Sequence, residues 1–150
     1  MGTRIFIDAN VPMYAHGASH PYRQPCRAAL RRVVSENIPA VTSSEVVQEI
    51  LHRYLSLKRH DQAVQVTSDF MTIVPAVLPV TRRDIERALR LIRRYPDLSA
   101  RDLLHVAVML NHDITQILST DTHFDQVDEV ERLDPASFSA ESEAGTDAPA

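Results

Sequence analysis

Several residue types are scarce in this chain, and each scarcity excludes a class of protein. Of its 150 residues, one is cysteine and three are glycine. Because Cys26 has no partner in the chain, a scaffold held together by intramolecular disulfides is excluded. Three glycines are too few for a glycine-rich phosphate loop, which excludes a P-loop nucleotide hydrolase.

Long apolar runs are also missing. No stretch approaches the roughly 20 apolar residues that cross a bilayer, and the N-terminus lacks the basic and then apolar segments of a secretion signal. We therefore expect a cytoplasmic protein. Its hydrophobic content of 44% and charged content of 24% are those of an ordinary globular domain.

The formal charge of −4 is unevenly distributed along the chain. Glu141, Glu143 and Asp147 lie in a C-terminal segment that has no apolar periodicity. We predict that residues 139–150 form a disordered acidic tail and that residues 1–138 form a single domain. Without the tail, that domain is close to neutral.

Short apolar strands alternate with helical segments along the chain. Strands are predicted at residues 5–7, 39–42, 114–118 and 130–133, with amphipathic helices between them. This alternation predicts an α/β sandwich with a mostly parallel sheet.

One predicted helix, capped by Thr81, has two faces of different character. Its apolar residues predict the buried face: Ile85, Ala88, Leu89 and Ile92. Four arginines lie opposite, at spacings of four, three and four: Arg83, Arg87, Arg90 and Arg94. Such a stripe either follows an RNA backbone or forms an ordinary solvated face, and both interpretations stay open here.

Two of the predicted strands end in a carboxylate. In RIFIDAN, Asp8 directly follows the strand at 5–7, and in ILSTD, Asp121 follows the strand at 114–118. If these strands are parallel neighbours, both acids project from the sheet edge where ligands bind in open α/β proteins. Two further acids, Glu49 and Asp102, lie at the margins of buried helix faces that would meet this edge.

Carboxylates gathered in one cleft repel each other unless a cation compensates their charge. The chain has no cysteine pair and no His-Glu-x-x-His motif, so oxygen ligands dominate and favour a hard ion, Mg²⁺ or Mn²⁺. Such ions also bind phosphate oxygens and lower the pKa of a bound water. The acids therefore predict metal-assisted hydrolysis of a phosphodiester.

The seven histidines are scattered along the chain. Only His105 and His112 share a spacing of interest, seven residues apart on one predicted helix. We predict that the histidines are core or surface residues and not metal ligands.

The order of the motifs is more specific than any one of them. RIFIDAN, a helix with Glu49, LSARDLLHVAVMLN and ILSTDTHFD together resemble a PIN-domain ribonuclease, in particular the VapC-type toxins of toxin–antitoxin pairs. The likeness covers roughly residues 3–134. It implies a PIN-like three-layer α/β/α sandwich with a mostly parallel sheet of four or five strands, and the activity of a divalent-metal-dependent endoribonuclease.

The resemblance also implies roles for individual residues. The acids that it makes catalytic and metal-binding are Asp8, Glu49, Asp102 and Asp121. Asn10 matches an Asp-x-Asn pattern, and Ser119 matches a Ser/Thr-x-Asp pattern. The resemblance makes both of them supporting residues, and it adds Asp125 as an outer ligand. Glu45 lies one turn before Glu49 on the same helix face, so either glutamate fits the pattern.

Partners follow from the same resemblance: an RNA substrate, a second copy in a homodimer, and an antitoxin whose extended segment blocks the acidic cleft. A non-catalytic PIN-like module that binds RNA or protein is one alternative. An Asp-dependent phosphatase is less favoured, because such families need a lysine near the site. The single lysine, Lys58, ends a mid-chain helix, and Asn10 stands where a second acid is required.

Overall fold

A parallel sheet of five short strands organises the fold in a computed structural model of the chain. The structure describes residues 3–146, and the side chains of residues 3–141. The strands are β1 (Ile5–Ile7), β2 (Ala40–Ser43), β3 (Val77–Leu78), β4 (Gln116–Leu118) and β5 (Glu131–Leu133). Their order is β3-β2-β1-β4-β5, and all neighbours are parallel.

The centre of the sheet is also the centre of the core. All three residues of β1 are buried, as expected for a parallel strand covered by helices on both faces. The chain fills one side of β1 with β2 and β3 and then crosses to the other side with β4 and β5. The strand order thus reverses between β1 and β4, and a crevice for ligands forms at such a point, beyond the carboxyl ends of the strands.

Helices flank this sheet. They are α1 (Asn10–His16), α2 (Arg23–Ser35), α3 (Ser44–Ser56), α4 (His60–Ile73), α5 (Arg82–Leu91), α6 (Ala100–Asn111) and α7 (Pro135–Thr146), with a short 3-10 helix at Thr122–Gln126. α1 packs against α2, α3 against both α4 and α6, and α5 against α6. Of the helices in the described residues, none is both long enough and apolar enough to cross a membrane. The predicted α/β architecture is confirmed.

The predicted buried face of α5 was wrong for three of its four residues, and only Ala88 is buried as predicted. Ile85, Leu89 and Ile92 are 49%, 62% and 46% exposed, whereas Asp84 and Leu91 are buried. The apolar pattern alone favoured the first set, but hydrogen bonds of the Asp84 carboxylate turn a different face of the helix toward α6. The three exposed residues therefore form an apolar stripe on the surface of α5.

Asp84 ties the start of α5 to the end of α6. Its Oδ2 accepts hydrogen bonds from the Thr81 N–H at 2.8 Å and the Thr81 hydroxyl at 3.0 Å, and its Oδ1 accepts one from Asn111 Nδ2 at 2.7 Å. Burial raises the pKa of this carboxyl, but the hydrogen bonds from Thr81 and Asn111 outweigh burial, so that the pKa is lowered overall. The ionised form is therefore the one that the fold stabilises.

Asp84→Ala is expected to lower the free energy of unfolding by roughly 2–3 kcal/mol, because it removes a helix cap and leaves buried donors unpaired. Since the folded pKa is lowered, the stabilisation is present above the unfolded pKa, near 4, and is lost as the pH falls below it. Urea denaturation at pH 7 and at pH 3 measures both effects. The control is Asp61→Ala, an exposed acid in the first turn of α4; an equal loss in both variants would contradict the role of Asp84.

The C-terminal boundary also needs correction. Residues 139–146, predicted as the start of a disordered tail, belong to α7. Phe138 is buried, and the guanidinium of Arg32 on α2 lies 4.2 Å from its ring centre, while Arg32 Nη1 donates to the Phe138 carbonyl at 2.8 Å. This anchor continues the helix past the predicted boundary. Residues 147–150 of the predicted tail lie outside the described residues.

Candidate active site

Asp8 lies immediately after β1, at the point where the strand order reverses. Its N–H donates to the carbonyl oxygen of Leu118 at 3.1 Å, so pairing with β4 continues one residue past β1. The side chain is 4% exposed, and its Oδ1 accepts a hydrogen bond from the Ala9 N–H at 2.8 Å. The sheet thus fixes both the position and the orientation of this carboxylate.

Asn10 and Ser119 connect Asp8 to the segment that follows β4. The Ser119 hydroxyl donates to Asp8 Oδ2 at 2.7 Å, and Asn10 Nδ2 donates to the same oxygen at 3.0 Å. Ser119 Oγ accepts hydrogen bonds from Asn10 Nδ2 at 3.1 Å and from the Asp121 N–H at 3.0 Å. One polar network therefore holds Asp8 and Asp121 at the same edge of the sheet.

Ser119→Ala is expected to weaken metal binding by about 10–100-fold, the usual cost of removing a residue that orients a ligand. The change leaves Asp8 Oδ2 without its shortest hydrogen bond while keeping the backbone of β4. Isothermal titration calorimetry with Mn²⁺ measures the affinity. Thr42→Val is a matched control, because the buried Thr42 hydroxyl bonds to the carbonyl of Ile7 and not to a carboxylate; an equal loss of affinity in both variants would contradict the prediction.

Glu49 and Asp102 approach this edge from two helices. The Ser43 hydroxyl caps α3 by accepting from the Val46 N–H at 3.3 Å, and the Ser99 hydroxyl caps α6 by accepting from the Asp102 N–H at 3.2 Å. Because α3 packs against α6, the caps bring the starts of both helices to the same side of the sheet. Both carboxylates are half-buried there.

Two side chains of α6 face the acids. Arg101 Nε lies 3.5 Å from Glu49 Oε1 and 3.7 Å from Glu45 Oε1. His105 Nε2 lies 3.6 Å from both Asp8 Oδ1 and Glu49 Oε1. Glu49 therefore lies between α6 and Asp8. These distances favour Glu49 over Glu45 as the glutamate of the site.

Among the side chains that the structure describes, two groups could each hold an ion. Within each group the ligand atoms lie within 4.8 Å of one another: Asp8, Glu49 and His105 in the first, and Asp102, Asp121 and His123 in the second. His123 is exposed, and its Nδ1 lies 2.7 Å from Asp121 Oδ1. The four predicted acids thus divide evenly between the two groups.

Burial and mutual repulsion disfavour the ionised forms of Asp8 and Asp102. Burial raises the pKa of Asp8, although His105 and the Ser119 hydroxyl lower it in part. The pKa of Asp102 is also raised, first by burial and then by the charges of Asp121 and Asp8. A bound cation would offset both effects. Carboxylate oxygens in this number suit a hard divalent ion, so the residues present fit the Mg²⁺ or Mn²⁺ that the sequence predicted.

Asp125 pairs with an arginine. It lies in the 3-10 helix and forms an ion pair with Arg132 of β5, at 2.9 Å from Arg132 Nε to Asp125 Oδ1. In the part of the chain that the structure describes, it belongs to neither group of possible ligands. The ion pair with Arg132 disfavours the expected role of Asp125 as an added outer ligand, which stays a prediction.

Two arginines of the predicted stripe have partners within the protein: Arg87 on α5, and Arg94, which lies beyond the end of α5 at Leu91. Arg87 donates to Asn111 Oδ1 at 2.9 Å, and Arg94 donates to Glu129 at 2.6 Å and to Asp128 at 3.1 Å. These contacts occupy half of the stripe within the protein itself. Its binding of RNA stays a prediction.

Sequence reasoning missed the side chains that face the acids from α6. It predicted that His105 is a core or surface residue and gave Arg101 no role. A signal was present, because His105 follows Asp102 by three residues and so shares its helix face. His123, two residues after Asp121, was also passed over.

Comparison with known proteins assigns this arrangement to a family. A model of the PIN domain matches residues 5–130, and Ribonuclease VapC13 of Mycobacterium tuberculosis (strain ATCC 25618 / H37Rv) is 43% identical over 86% of this chain and 98% of its own length. The chain belongs to the PIN-domain family of VapC ribonucleases. Ribonuclease VapC23 of Mycobacterium tuberculosis (strain CDC 1551 / Oshkosh) is 38% identical over 78% of this chain and 92% of its own length.

Solved structures agree on the PIN fold. VapC20 of Mycobacterium tuberculosis, a toxin that cleaves the sarcin-ricin loop, has a TM-score of 0.68 at 22% identity, over 83% of this chain and 95% of its own. VapBC2 of Rickettsia felis, solved with a DNA fragment from its promoter, has a TM-score of 0.70 at 14% identity, over 88% and 100%. The predicted family, fold and enzyme class, a toxin-type PIN-domain ribonuclease, are thereby confirmed.

Proposed function

We propose that this PIN-domain protein hydrolyses RNA phosphodiester bonds at the cleft formed by Asp8, Glu49, Asp102 and Asp121, with Mg²⁺ or Mn²⁺ as cofactor. One observation carries the proposal: four carboxylates from β1, α3, α6 and the end of β4 converge where the strand order reverses. Bringing carboxylates together costs free energy through their mutual repulsion, and a bound divalent cation would offset that cost. Membership in a family of ribonucleases makes RNA the substrate that fits.

Each part of the cleft has a distinct task in this reaction. When bound, the divalent ion lowers the pKa of a water and neutralises charge on the scissile phosphate. Asp8 is a rigid ligand, since Ser119 and Asn10 fix its orientation. Asp102 and Asp121 are partly exposed, so an entering phosphate can reach this side of the cleft. Binding of the ion favours ionised carboxylates, so protons leave the cleft as it binds.

A groove beside the cleft supports RNA as the substrate. Its volume is about 1100 Å³, and it extends from Asn10 and Glu49 along α1 and α3. Arg53, Arg59 and Arg101 line it, as does Tyr14. Arginines contact phosphates and an aromatic ring stacks on bases, so this lining suits a single strand of RNA. We propose this groove as the RNA path, and the stripe of Arg83, Arg87, Arg90 and Arg94 as a second candidate.

Incubation of total RNA with the purified protein tests the proposal. We expect cleavage with Mg²⁺ or Mn²⁺, none with EDTA, and none with an Asp8→Asn variant prepared in the same way. Cleavage that survives both EDTA and the substitution would come from a contaminant. If the wild type binds the metal and cleaves nothing in total or ribosome-bound RNA, the non-catalytic module becomes the better description.

We further propose an antitoxin partner, a homodimer and a cytoplasmic location. The solved structures with this fold include a toxin–antitoxin complex from Klebsiella pneumoniae, with a TM-score of 0.63 at 15% identity. An antitoxin segment with a basic side chain would complement the acidic cleft and block it. Co-expression with the neighbouring reading frame, followed by light scattering, tests both partners; a 16.9 kDa species without a co-purified protein would contradict them.

A further inference from the structure

His105 is a buried histidine with two unpaired ring nitrogens. Its side chain has no exposed surface, and within the described residues neither Nδ1 nor Nε2 has a hydrogen-bond partner. Buried polar atoms are nearly always satisfied by protein, water or an ion, because an unpaired one costs free energy. The described residues thus supply two carboxylates within ion-pair distance of Nε2 but no hydrogen bond to either ring nitrogen.

The side chains around His105 show which way its ring nitrogen Nε2 faces. One side of the ring packs against Phe6 of β1, with 5.6 Å between ring centres. Nε2 faces the cleft, where Asp8 Oδ1 and Glu49 Oε1 each lie 3.6 Å away. This distance is too long for a hydrogen bond. It matches the separation of about 3–4 Å between atoms that bind one ion at roughly 2.1 Å.

We propose that Nε2 of His105 is a nitrogen ligand of the divalent ion that Asp8 and Glu49 bind. The inference rests on the proposed metal-dependent function and adds to it a choice of ion. Imidazole binds transition-metal ions better than it binds Mg²⁺, whose preferred ligands are oxygen atoms. A cleft with one histidine ligand therefore favours Mn²⁺ over Mg²⁺.

His123 is not part of this inference. It is exposed, and its Nδ1 already contacts Asp121 Oδ1 at 2.7 Å. That hydrogen bond raises the pKa of the His123 ring, which is the behaviour of a surface ion pair. Burial lowers the pKa of the His105 ring, but Glu49 and Asp8 outweigh burial and raise the pKa overall, so a bound ion would displace the ring proton. His105 is distinguished from His123 by complete burial and by the lack of a hydrogen bond at either nitrogen.

Pulsed electron paramagnetic resonance on the Mn²⁺-loaded full chain tests the ligand directly. Nitrogen bound to Mn²⁺ modulates the electron spin echo, and labelling the histidines with ¹⁵N changes that modulation. We expect it in the wild type and in the control His60→Gln, which removes an exposed histidine at the start of α4. We expect the nitrogen modulation to be lost in His105→Gln. If that variant does not fold, His105→Phe is used in its place, with the same expected loss.

Calorimetric titration with Mn²⁺ and Mg²⁺ gives an independent readout. The ratio of Mn²⁺ to Mg²⁺ affinity is expected to fall about tenfold or more in His105→Gln. A purely structural role would weaken both ions equally and leave the ratio unchanged, which would overturn the proposal. Wild-type protein that cleaves RNA with Mn²⁺ but lacks nitrogen modulation would overturn the histidine ligand alone. Wild-type protein that binds neither ion would overturn the proposed metal-dependent function as well.

Discussion

Asp8→Asn is expected to reduce RNA cleavage by more than about a hundredfold while the protein remains folded. Asp8 is a ligand in the proposed cleft, so its loss should exceed the 10–100-fold effect typical of residues that only orient ligands. Asparagine has the same size and keeps an oxygen that can accept the hydrogen bond from the Ala9 N–H. The measurement is the cleavage rate at saturating Mn²⁺, together with circular dichroism to establish the fold.

The same substitution has a predictable effect on the metal-free protein. Since burial raises the folded pKa of Asp8, the wild type loses stability as the pH rises from the unfolded pKa, near 4, through the folded pKa. Asparagine does not ionise, so the thermal midpoint of Asp8→Asn should improve relative to wild type between pH 4 and pH 7. Added Mn²⁺ should reverse that order, because it stabilises only the protein that binds it.

Asp125→Asn is the control for both measurements. Asp125 is an exposed aspartate that pairs with Arg132 outside the cleft. We expect its cleavage rate to stay within about threefold of wild type, because Asp125 belongs to neither group of possible ligands among the described residues. Equal losses in the two variants, or full activity of Asp8→Asn, would contradict the assignment of Asp8.

Residues that follow strands were accessible to sequence reasoning. The short apolar runs before Asp8 and Asp121 predicted buried strands, and parallel pairing then requires both acids at one edge. Asn10 and Ser119 lie within two residues of these acids, so their contacts with Asp8 follow from the same local logic. Once β1 pairs with β4, the strand ends bring these four residues together, although Asp8 and Ser119 are 111 positions apart in the sequence.

The environment of a residue could not be predicted from the sequence where it depends on how a helix is oriented. The apolar spacing of α5 favoured burial of Leu89, but the contact between Asp84 and Asn111, 27 residues away, selects another face. His105 lies on a helix with a broad apolar face, where a single sequence cannot distinguish a core residue from a ligand. Only the position of α6 against β1 and α3 reveals that its nitrogen faces the cleft.

Glu49→Gln and Glu45→Gln form a matched pair of variants. Together they test which of the two glutamates binds the ion, a choice that the sequence left open. The two glutamates lie one turn apart on α3, both are half-buried, and both lie within 4.0 Å of Arg101. Only Glu49 also lies 3.6 Å from His105 Nε2 and belongs to the group that contains Asp8. We expect Glu49→Gln to lower both cleavage and Mn²⁺ affinity by more than about a hundredfold.

Glu45→Gln is expected to change cleavage by less than about threefold, because its carboxylate pairs only weakly with a half-exposed arginine. Loss of the Glu45 charge leaves Arg101 free to pair with Glu49, so a small fall in metal affinity is consistent with the assignment. A larger loss in Glu45→Gln than in Glu49→Gln would reverse it. The ion would then lie closer to the start of α3, and His105 would be too far from the glutamate ligand to share it.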